Sequence, residues 1–526
     1  MKVTLLASAA VIALAAGAAR AEFALTILHT NDFHDRFEPI SKSDSTCAPE
    51  DNAAGGCFGG IARLVTAVAE ARAKGDETLL VDAGDQFQGS LFYARYRGQL
   101  AAEFLNALGY EAMAVGNHEF DDGPAVLTEF ARQLSAPLLM ANADLTAEPA
   151  LRDEVVKAAV IEKAGEKIGL VGLAPLDTAD LASPGPNVIF TEPVQAAQAE
   201  IDRLTAEGVT KIVLLSHLGH EADLRIASVL TGVDVIVGGH SHTLLGQFDG
   251  AAGPYPVMVG KVAIVTAYAY GKYLGELTVT FDDPGAKLFQ RGSQILHPRL
   301  LDASVAEDAA TLARVKDLAA PLEELRARVV AETAAEIDGS RESCRSGECA
   351  MGNLVADAML DRVKDQGIAI AIANGGGLRA SIDQGPVSMG EVLTVLPFQN
   401  TLSTFRISGQ TVLAALENGV SQVEEGAGRF PQVAGLTYAF DPAAPAGARV
   451  SDVQVMVDGG WQPLDPAATY GVVSNNYVRQ GGDGYAMLVQ AADAYDFGPD
   501  LAEVTAEYLA ARTPYSPVIK GHITRR

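Results

Sequence analysis

The chain has 526 residues, 48% of them hydrophobic and 6% aromatic, with 39 Lys plus Arg against 66 Asp plus Glu, for a formal net charge of -27. That length exceeds what one core organises, so two domains are expected, and the composition argues against disorder. So acidic a surface repels polyanions, which argues against a nucleic-acid polymer or an anionic membrane as partner, and any phosphate substrate must be met by local positive charge that bound metals can supply.

Residues 1–21 read as a secretory signal: Lys2, the apolar run from Val3 to Ala19, then Ala19-Arg20-Ala21 as a small-x-small cleavage site. The mature chain is expected to begin at Glu22, in the periplasm or outside the cell. An uncleaved anchor is the alternative, although the run is at the short limit for crossing a bilayer. No second apolar stretch is long enough to span, and residues 519–526 lack a hydrophobic tail for a lipid anchor. The four cysteines form two close pairs, Cys47 with Cys57 and Cys344 with Cys349. Three pairings are open; proximity favours the local one, and an oxidising compartment would let both bonds persist. A thiolate zinc site is the rival reading, but the spacings are not those of a finger or ribbon.

From Phe23 to about Tyr273, short β-branched runs alternate with helix-period stretches. Strands are expected at Ala24 to Leu28, Thr78 to Val81, Ala112 to Val115, Leu138 to Met140, Ile168 to Gly172, Lys211 to Leu215, Val233 to Val237 and Val262 to Thr266. Helices are expected at Ile61 to Lys74, Gly98 to Leu108, Ala125 to Leu134 and Val194 to Glu207. This alternation predicts an α/β layered domain. A charged, alanine-rich stretch from Ala303 to Glu336, broken by Pro321, reads either as a helical connector or as a helix packed on the first domain. Beyond Asp338 the pattern changes to a helix at Gly352 to Lys364, a strand at Ile368 to Ala373, and strands at Leu402 to Ile407 and Val453 to Val457, which predicts a second, α+β domain. The expected boundaries are 22–302, 303–337 and 338–526.

Polar residues cluster just past the carboxyl ends of the predicted strands, where open α/β sheets place ligands. They fall in Asp32-Phe33-His34, Gly84-Asp85, Gly116-Asn117-His118-Glu119, His217 and Gly238-Gly239-His240-Ser241-His242. Carboxylate, amide oxygen and imidazole suit zinc, manganese, cobalt or magnesium and require no thiolate. A pair of ions needs a bridging carboxylate, and Asp85 is the natural bridge. His118 and Asp121, spaced i, i+3, can pair if the segment turns helically; the alternative is that His118 merely caps a helix. His29, His220, His297 and His522 match no ligand position and are read as structural or exposed.

These fragments, in this order, resemble the calcineurin-like metallophosphoesterase superfamily and, within it, the 5'-nucleotidase family. The resemblance implies an α/β metallophosphoesterase domain, a β-sandwich flanked by helices, followed by an α+β substrate-binding domain. It implies two divalent ions, zinc first with manganese or cobalt as alternatives. Asp32, His34, Asp85 and His242 would hold one, and Asp85, Asn117, His217 and His240 the other. His118 and Asp121 would form a dyad beside them, the carboxylate fixing the tautomer of an imidazole that stabilises phosphoryl charge.

The second half carries Cys344-Arg345 within Ser343 to Asn353, Asn374-Gly375-Gly376-Gly377-Leu378-Arg379, Leu396-Pro397-Phe398, and Asn476-Tyr477 ahead of Gly481 to Tyr485. By resemblance, Phe398 and Tyr477 sandwich a base, Asp483 binds ribose hydroxyls, Asn374 touches the base, and Arg345 and Arg379 reach ribose and phosphate oxygens. Stacking tolerates any base and an arginine fork fits phosphate oxygens, so broad base specificity is expected. Tyr477 stands where phenylalanine is frequent, and its hydroxyl is expected to alter base preference. The implied activity is hydrolysis of nucleoside 5'-monophosphates to nucleoside and phosphate. The alternatives are a 2',3'-cyclic-nucleotide phosphodiesterase with 3'-nucleotidase activity, a UDP-sugar pyrophosphatase, or, in another class, a non-enzymatic periplasmic nucleotide-binding protein. The sequence leaves the oligomeric state open.

Overall fold

The computed structural model describes residues 23–42, 44, 47–75, 77–281, 287–288, 297–398, 400–457, 459–495 and 498–526. The expected leader and its cleavage site lie outside them. Among the described residues no helix is long and apolar enough to cross a membrane.

Two sheets face each other in the first half. One runs in the order Lys287–Leu288, Tyr273–Phe281, Phe23–Thr30, Glu77–Asp82, Ala112–Ala114, Leu138–Leu139, Val155–Val156, with Arg299–Leu300 also pairing Tyr273–Phe281. The other runs Val257–Val259, Val262–Val265, Val235–Gly238, Lys211–Ser216, Glu166–Leu173, Ala158–Lys163; its middle four strands are parallel and its edges antiparallel. Side chains alternate along each strand, so one set meets the opposite sheet and the next meets helices. Leu25, Ile27, Leu79 and Val81 share one buried cluster with Leu170, Val213, Leu215 and Val237 across the sandwich. Leu28, Leu80 and Met113 face outward into a cluster with Ile61, Leu64 and Val68 of helix Ile61–Arg72, whose apolar residues recur at helical spacing. Ile212, Leu214 and Ile236 pack on helix Pro193–Ala206 in the same way. This is the expected sandwich flanked by helices.

The connector departs from an all-helical reading. Asp308 caps helix Ala309–Ala319 through Thr311 N at 2.8 Å, a single 3-10 turn spans Ala320–Leu322 at Pro321, and Glu323–Ala327 is a short helix. Val329–Thr333 is then a strand paired with Gly385–Ser388, which joins this segment to the second half. The β-branched Val329-Val330 step follows the partner it finds, not the alanine-rich stretch before it. Val315, Leu318 and Leu322 are buried in the core of the first half, so the helix packs on that domain, the second of the two readings above.

The second half is built on the sheet Pro431–Ala434, Ile370–Asn374, Thr469–Asn475, Leu402–Ser408, Ala492–Tyr495. Helix Ala350–Val363 covers one face and Gly409–Val420 the other, each with its own apolar cluster. A four-stranded sheet, Gly460–Pro463, Val450–Val457, Leu436–Phe440, Ile523–Arg525, completes it. Both local disulfides, Cys47–Cys57 and Cys344–Cys349, are formed.

Candidate active site

The metal-type ligands stand on loops that leave the strand ends of both sheets. The loops after Phe23–Thr30 and Glu77–Asp82 pair through Asp32 N to Gly84 O (2.9 Å), His34 N to Asp85 O (3.1 Å) and Asp35 N to Gln86 O (2.9 Å). His240 N donates to both oxygens of Asp32 at 3.0 Å, which ties the second sheet to the first. Asp32, His34, Asp85, His240 and His242 all have φ between 50 and 69°, the left-handed region that non-glycine residues avoid at a cost of about 1–3 kcal/mol each. Local propensity does not select those conformations; the convergence of the loops imposes them.

Three groups of side chains each bring ligand atoms within 4.8 Å of one another: Asp32, His34 and His242; Asp85, His217 and His240; and His34, Asp85 and His118. Asp85 belongs to the second and third groups and so faces both His217 and His34. Asn117 Oδ1 lies 2.9 Å from His240 Nδ1, at the edge of the second group. The residues fit a pair of divalent cations. His34 Nδ1 donates to Phe87 O (3.0 Å) and His217 Nδ1 to Ala83 O (2.6 Å); a carbonyl can only accept, so in the neutral, metal-binding form of each ring the Nε2 lone pair faces inward. His34 Nε2 and His242 Nε2 meet at 3.2 Å, and His242 Nε2 lies 3.3 Å from Asp32 Oδ1. His217 Nε2, fully buried, lies 3.0 Å from Asp85 Oδ2 and 3.8 Å from Asp32 Oδ1. Burial works to lower the His217 pKa, yet the Asp85 and Asp32 carboxylates raise it to about 10, which registers the negative potential at this point. Two nitrogens and two carboxylates aimed at one space suit a cation better than they suit each other.

His118 begins the single 3-10 turn His118–Phe120, and its Nδ1 meets Asp121 Oδ2 at 2.7 Å, so the helical pairing forms. Burial acts to lower the His118 pKa, but the Asp121 and Asp85 carboxylates outweigh it and the net shift is upward. His118 N donates to Asp85 Oδ1 at 2.9 Å, so dyad and bridge share one frame.

The second half closes over this centre. Arg379 Nη2 lies 3.2 Å from His34 Nε2, the Phe398 ring stacks on His118 with centroids 5.8 Å apart at 21°, and Arg379 lies 5.7 Å over the same ring. Arg345 is buried, and its pKa is lowered by burial and by Arg341 and Arg379 beside it. Asn374 Nδ2 donates to Asp483 Oδ2 (2.6 Å) and Asn374 Oδ1 accepts from Asn475 Nδ2 (2.9 Å), so its amide braces Asp483. The Tyr477 hydroxyl donates to Asp483 Oδ1 at 3.2 Å and accepts from Asp483 N at 3.1 Å, which directs it at that carboxylate. Arg345, Asn374, Arg379, Phe398, Tyr477 and Asp483 line one cleft of about 1940 Å³ together with Asp85, Asn117, His118, His240 and His242.

Three residues went unassigned in the sequence reading. Arg341, four positions before Arg345 on the turn Arg341–Cys344, donates to His240 O at 3.2 Å; the i, i+4 spacing was its only signal. Tyr270 lies with its ring centroid 5.2 Å from that of His242 and 5.7 Å from that of His34, under the Arg36 guanidinium, and no motif marks it. Glu119 sits inside the Gly-Asn-His-Glu fragment, and its buried carboxylate accepts from Gly116 N (2.7 Å), Asp85 N (3.0 Å), Gln86 N (2.8 Å) and Phe87 N (3.3 Å).

Known proteins resemble the chain over both halves. Residues 25–244 match the family model of calcineurin-like phosphoesterases, and residues 329–490 that of the 5'-nucleotidase C-terminal domain. A 5'-nucleotidase of Diplobatis ommata is 38% identical over 530 residues, 96% of this chain and 90% of that protein. The Homo sapiens 5'-nucleotidase is 36% identical over 548 residues, 99% and 93% respectively. The crystal structure of a 5'-nucleotidase precursor from Thermus thermophilus superposes with a TM-score of 0.90 at 42% identity, covering 96% of this chain and 99% of that one.

Proposed function

The chain belongs to the 5'-nucleotidase family, and from that premise we propose how its own residues carry out the reaction. It is a hydrolase that converts nucleoside 5'-monophosphates to nucleoside and phosphate. In our reading Asp32, His34, Asp85 and His242 hold one divalent ion and Asp85, Asn117, His217 and His240 the other, with zinc the first candidate. Such ions supply Lewis acidity toward phosphoryl oxygens and a nucleophile at neutral pH.

The chain's own groups do the rest. Arg379, Arg345 and Arg341 bring three guanidinium forks to the phosphate side of the cleft, where they bind and orient an anion. His118, with Nδ1 committed to Asp121, keeps Nε2 to hold a proton toward the phosphoryl or leaving oxygen as charge builds there. Phe398 and Tyr477 offer faces to any base. Asp483, braced by Asn374 and Tyr477, accepts from ribose hydroxyls. The Tyr477 hydroxyl, bonded to Asp483, sets the tilt of the ring offered to the base.

The observation that carries this reading is the approach of Arg379 to His34 at 3.2 Å, because it sets the phosphate-binding side chains of one domain against the ligand set of the other. The reading of residues 1–21 as a leader, together with venom 5'-nucleotidases among the relatives, supports export from the cytoplasm. The test is phosphate release from AMP, 3'-AMP, 2',3'-cyclic AMP and UDP-glucose by metal-stripped protein reloaded with one ion at a time. Preference for AMP with a metal requirement is expected. Equal or better turnover of the cyclic or sugar substrate would give the specificity to one of the alternatives, and tight AMP binding without product under every ion would refute the catalytic reading.

A further inference from the structure

We propose that Gln432 is a positioning residue for the substrate-binding Arg345, an inference that rests on the role given to Arg345 above. Gln432 lies on the edge strand Pro431–Ala434, opposite Ala373, and is fully buried among apolar neighbours. A buried amide is costly unless its hydrogen bonds are made. All three of the bonds it makes go to one loop. Its Nε2 donates to Cys344 O at 2.9 Å and to Gly347 O at 2.7 Å, and its Oε1 accepts from Cys349 N at 3.2 Å. The orientation is determined by chemistry: a flipped amide would set its oxygen against two carbonyls and its NH2 against an N–H.

That loop is the one closed by the Cys344–Cys349 disulfide, and Arg345 projects from it, with Arg341 one turn earlier. The disulfide joins the two ends of the loop but does not orient it on the sheet. Gln432 supplies that orientation, and the packing makes room for it: a Cβ at Gly352, where helix Ala350–Val363 crosses the strand, would run into Gln432 Oε1 and Cδ. The lead-in to the same strand holds the second substrate loop, with Gly375 N donating to Phe430 O and Gly376 N to Gly428 O, both at 2.8 Å. Gly375 also abuts Cys344 O so closely that no Cβ fits between them. One strand therefore mounts both the arginine loop and the Asn374 turn.

Arg341, Arg345 and Arg379 line the same cleft, so three cations share one wall. Among the described residues no carboxylate stands within ion-pair distance of any of the three. A loop free to shift on the sheet would have to be ordered at binding, and that cost would weaken substrate capture.

The test uses Gln432→Glu, nearly isosteric but without donors when ionised, and Gln432→Met, matched in volume, each alone and combined with Arg345→Ala. The measurements are KM and kcat for AMP at saturating metal, together with melting temperature and metal affinity. Either Gln432 variant is expected to raise KM about tenfold or more with kcat within about threefold and metal affinity unchanged. Combined with Arg345→Ala it should add little to the loss that Arg345→Ala causes alone, since residues acting through one another are not additive. Four results would overturn the proposal: an unchanged KM, a fall in melting temperature without a change in KM, losses that multiply in the double variant, or failure of both variants to fold. An Arg345→Ala protein with normal KM would refute the role of Arg345 itself, a failure distinguishable because it needs no change at Gln432.

Discussion

Glu119 is the residue whose substitution tests the metal cage most sharply without removing a ligand. Its carboxylate accepts four backbone N–H groups, from Gly116 and Asp85 on Oε2 and from Gln86 and Phe87 on Oε1, and so locks the loop of the bridging aspartate to the loop of Asn117. In Glu119→Gln one oxygen becomes an NH2, and whichever way the amide lies, two of the four donors then face another donor. Hydrogen bonds to a charged group contribute about 1.5–3 kcal/mol each, so two lost bonds cost about 3–6 kcal/mol. Part is returned, because the neutral amide escapes the desolvation and the Asp85 repulsion that together push Glu119 up to about 7. A net displacement of the Asp85 loop worth about 1.4–2.8 kcal/mol corresponds to the 10- to 100-fold loss of metal affinity usual when a group supporting the ligands is removed. Calorimetric titration of metal into stripped protein measures it directly, with circular dichroism confirming the fold and kcat at saturating metal showing partial recovery. Wild-type metal affinity in a folded Glu119→Gln protein would refute the argument that this carboxylate sets the distance between the two ligand loops.

Asp85→Ala removes the carboxylate that faces both His217 and His34 and is expected to cut phosphate release by about a thousandfold or more with circular dichroism unchanged; near-normal turnover of metal-replete protein would overturn the ligand assignment. His118→Ala should lower kcat by about 10²–10⁴-fold, and Asp121→Asn by less, with KM for AMP little moved, as steady-state kinetics would report. Phe398→Ala should raise KM for AMP by about 5- to 150-fold, the equivalent of about 1–3 kcal/mol of base stacking, and should do so alike for purine and pyrimidine monophosphates. His29, buried and bonded through Nε2 to Tyr255 Oη at 2.8 Å, has its pKa lowered by burial to about 3. Its folded value lies below the unfolded one, so the fold loses stability as pH falls from about 6.5 toward 3, by up to about 1.4 kcal/mol per pH unit. Urea denaturation at pH 7, 6, 5 and 4 should show a shallower acid slope for His29→Gln than for the unsubstituted chain, and parallel slopes would remove His29 from that account.

Much of the architecture was legible because it rests on local periodicity. Leu25, Ile27 and Leu28 in one strand, or Ile61, Leu64 and Val68 in one helix, announce their faces by spacing alone, and glycine-bounded polar fragments at strand ends mark the ligand loops. The strand Val329–Thr333 was not legible, since its partner Gly385–Ser388 lies more than fifty positions away and the preceding residues favour helix. Nor did the sequence show that Asn374 also bonds Asp483 and Asn475, because which polar group meets which is settled by a cross-sheet register that composition does not carry.

By itself the chain's order of residues carried the layered class, the candidate ligand loops at the strand ends and the i, i+3 spacing that lets His118 meet Asp121, because each depends on spacing within a turn or a strand. Tertiary structure alone decided that Asp85 faces both His217 and His34, that Glu119 and Gln432 anchor loops, that Tyr270 walls the centre, and that Arg341 and Arg379 of the second half reach the histidines of the first. Those relations join residues from roughly thirty to more than three hundred positions apart. They exist only because burying two sheet faces and two helix layers leaves one arrangement in which the loops meet.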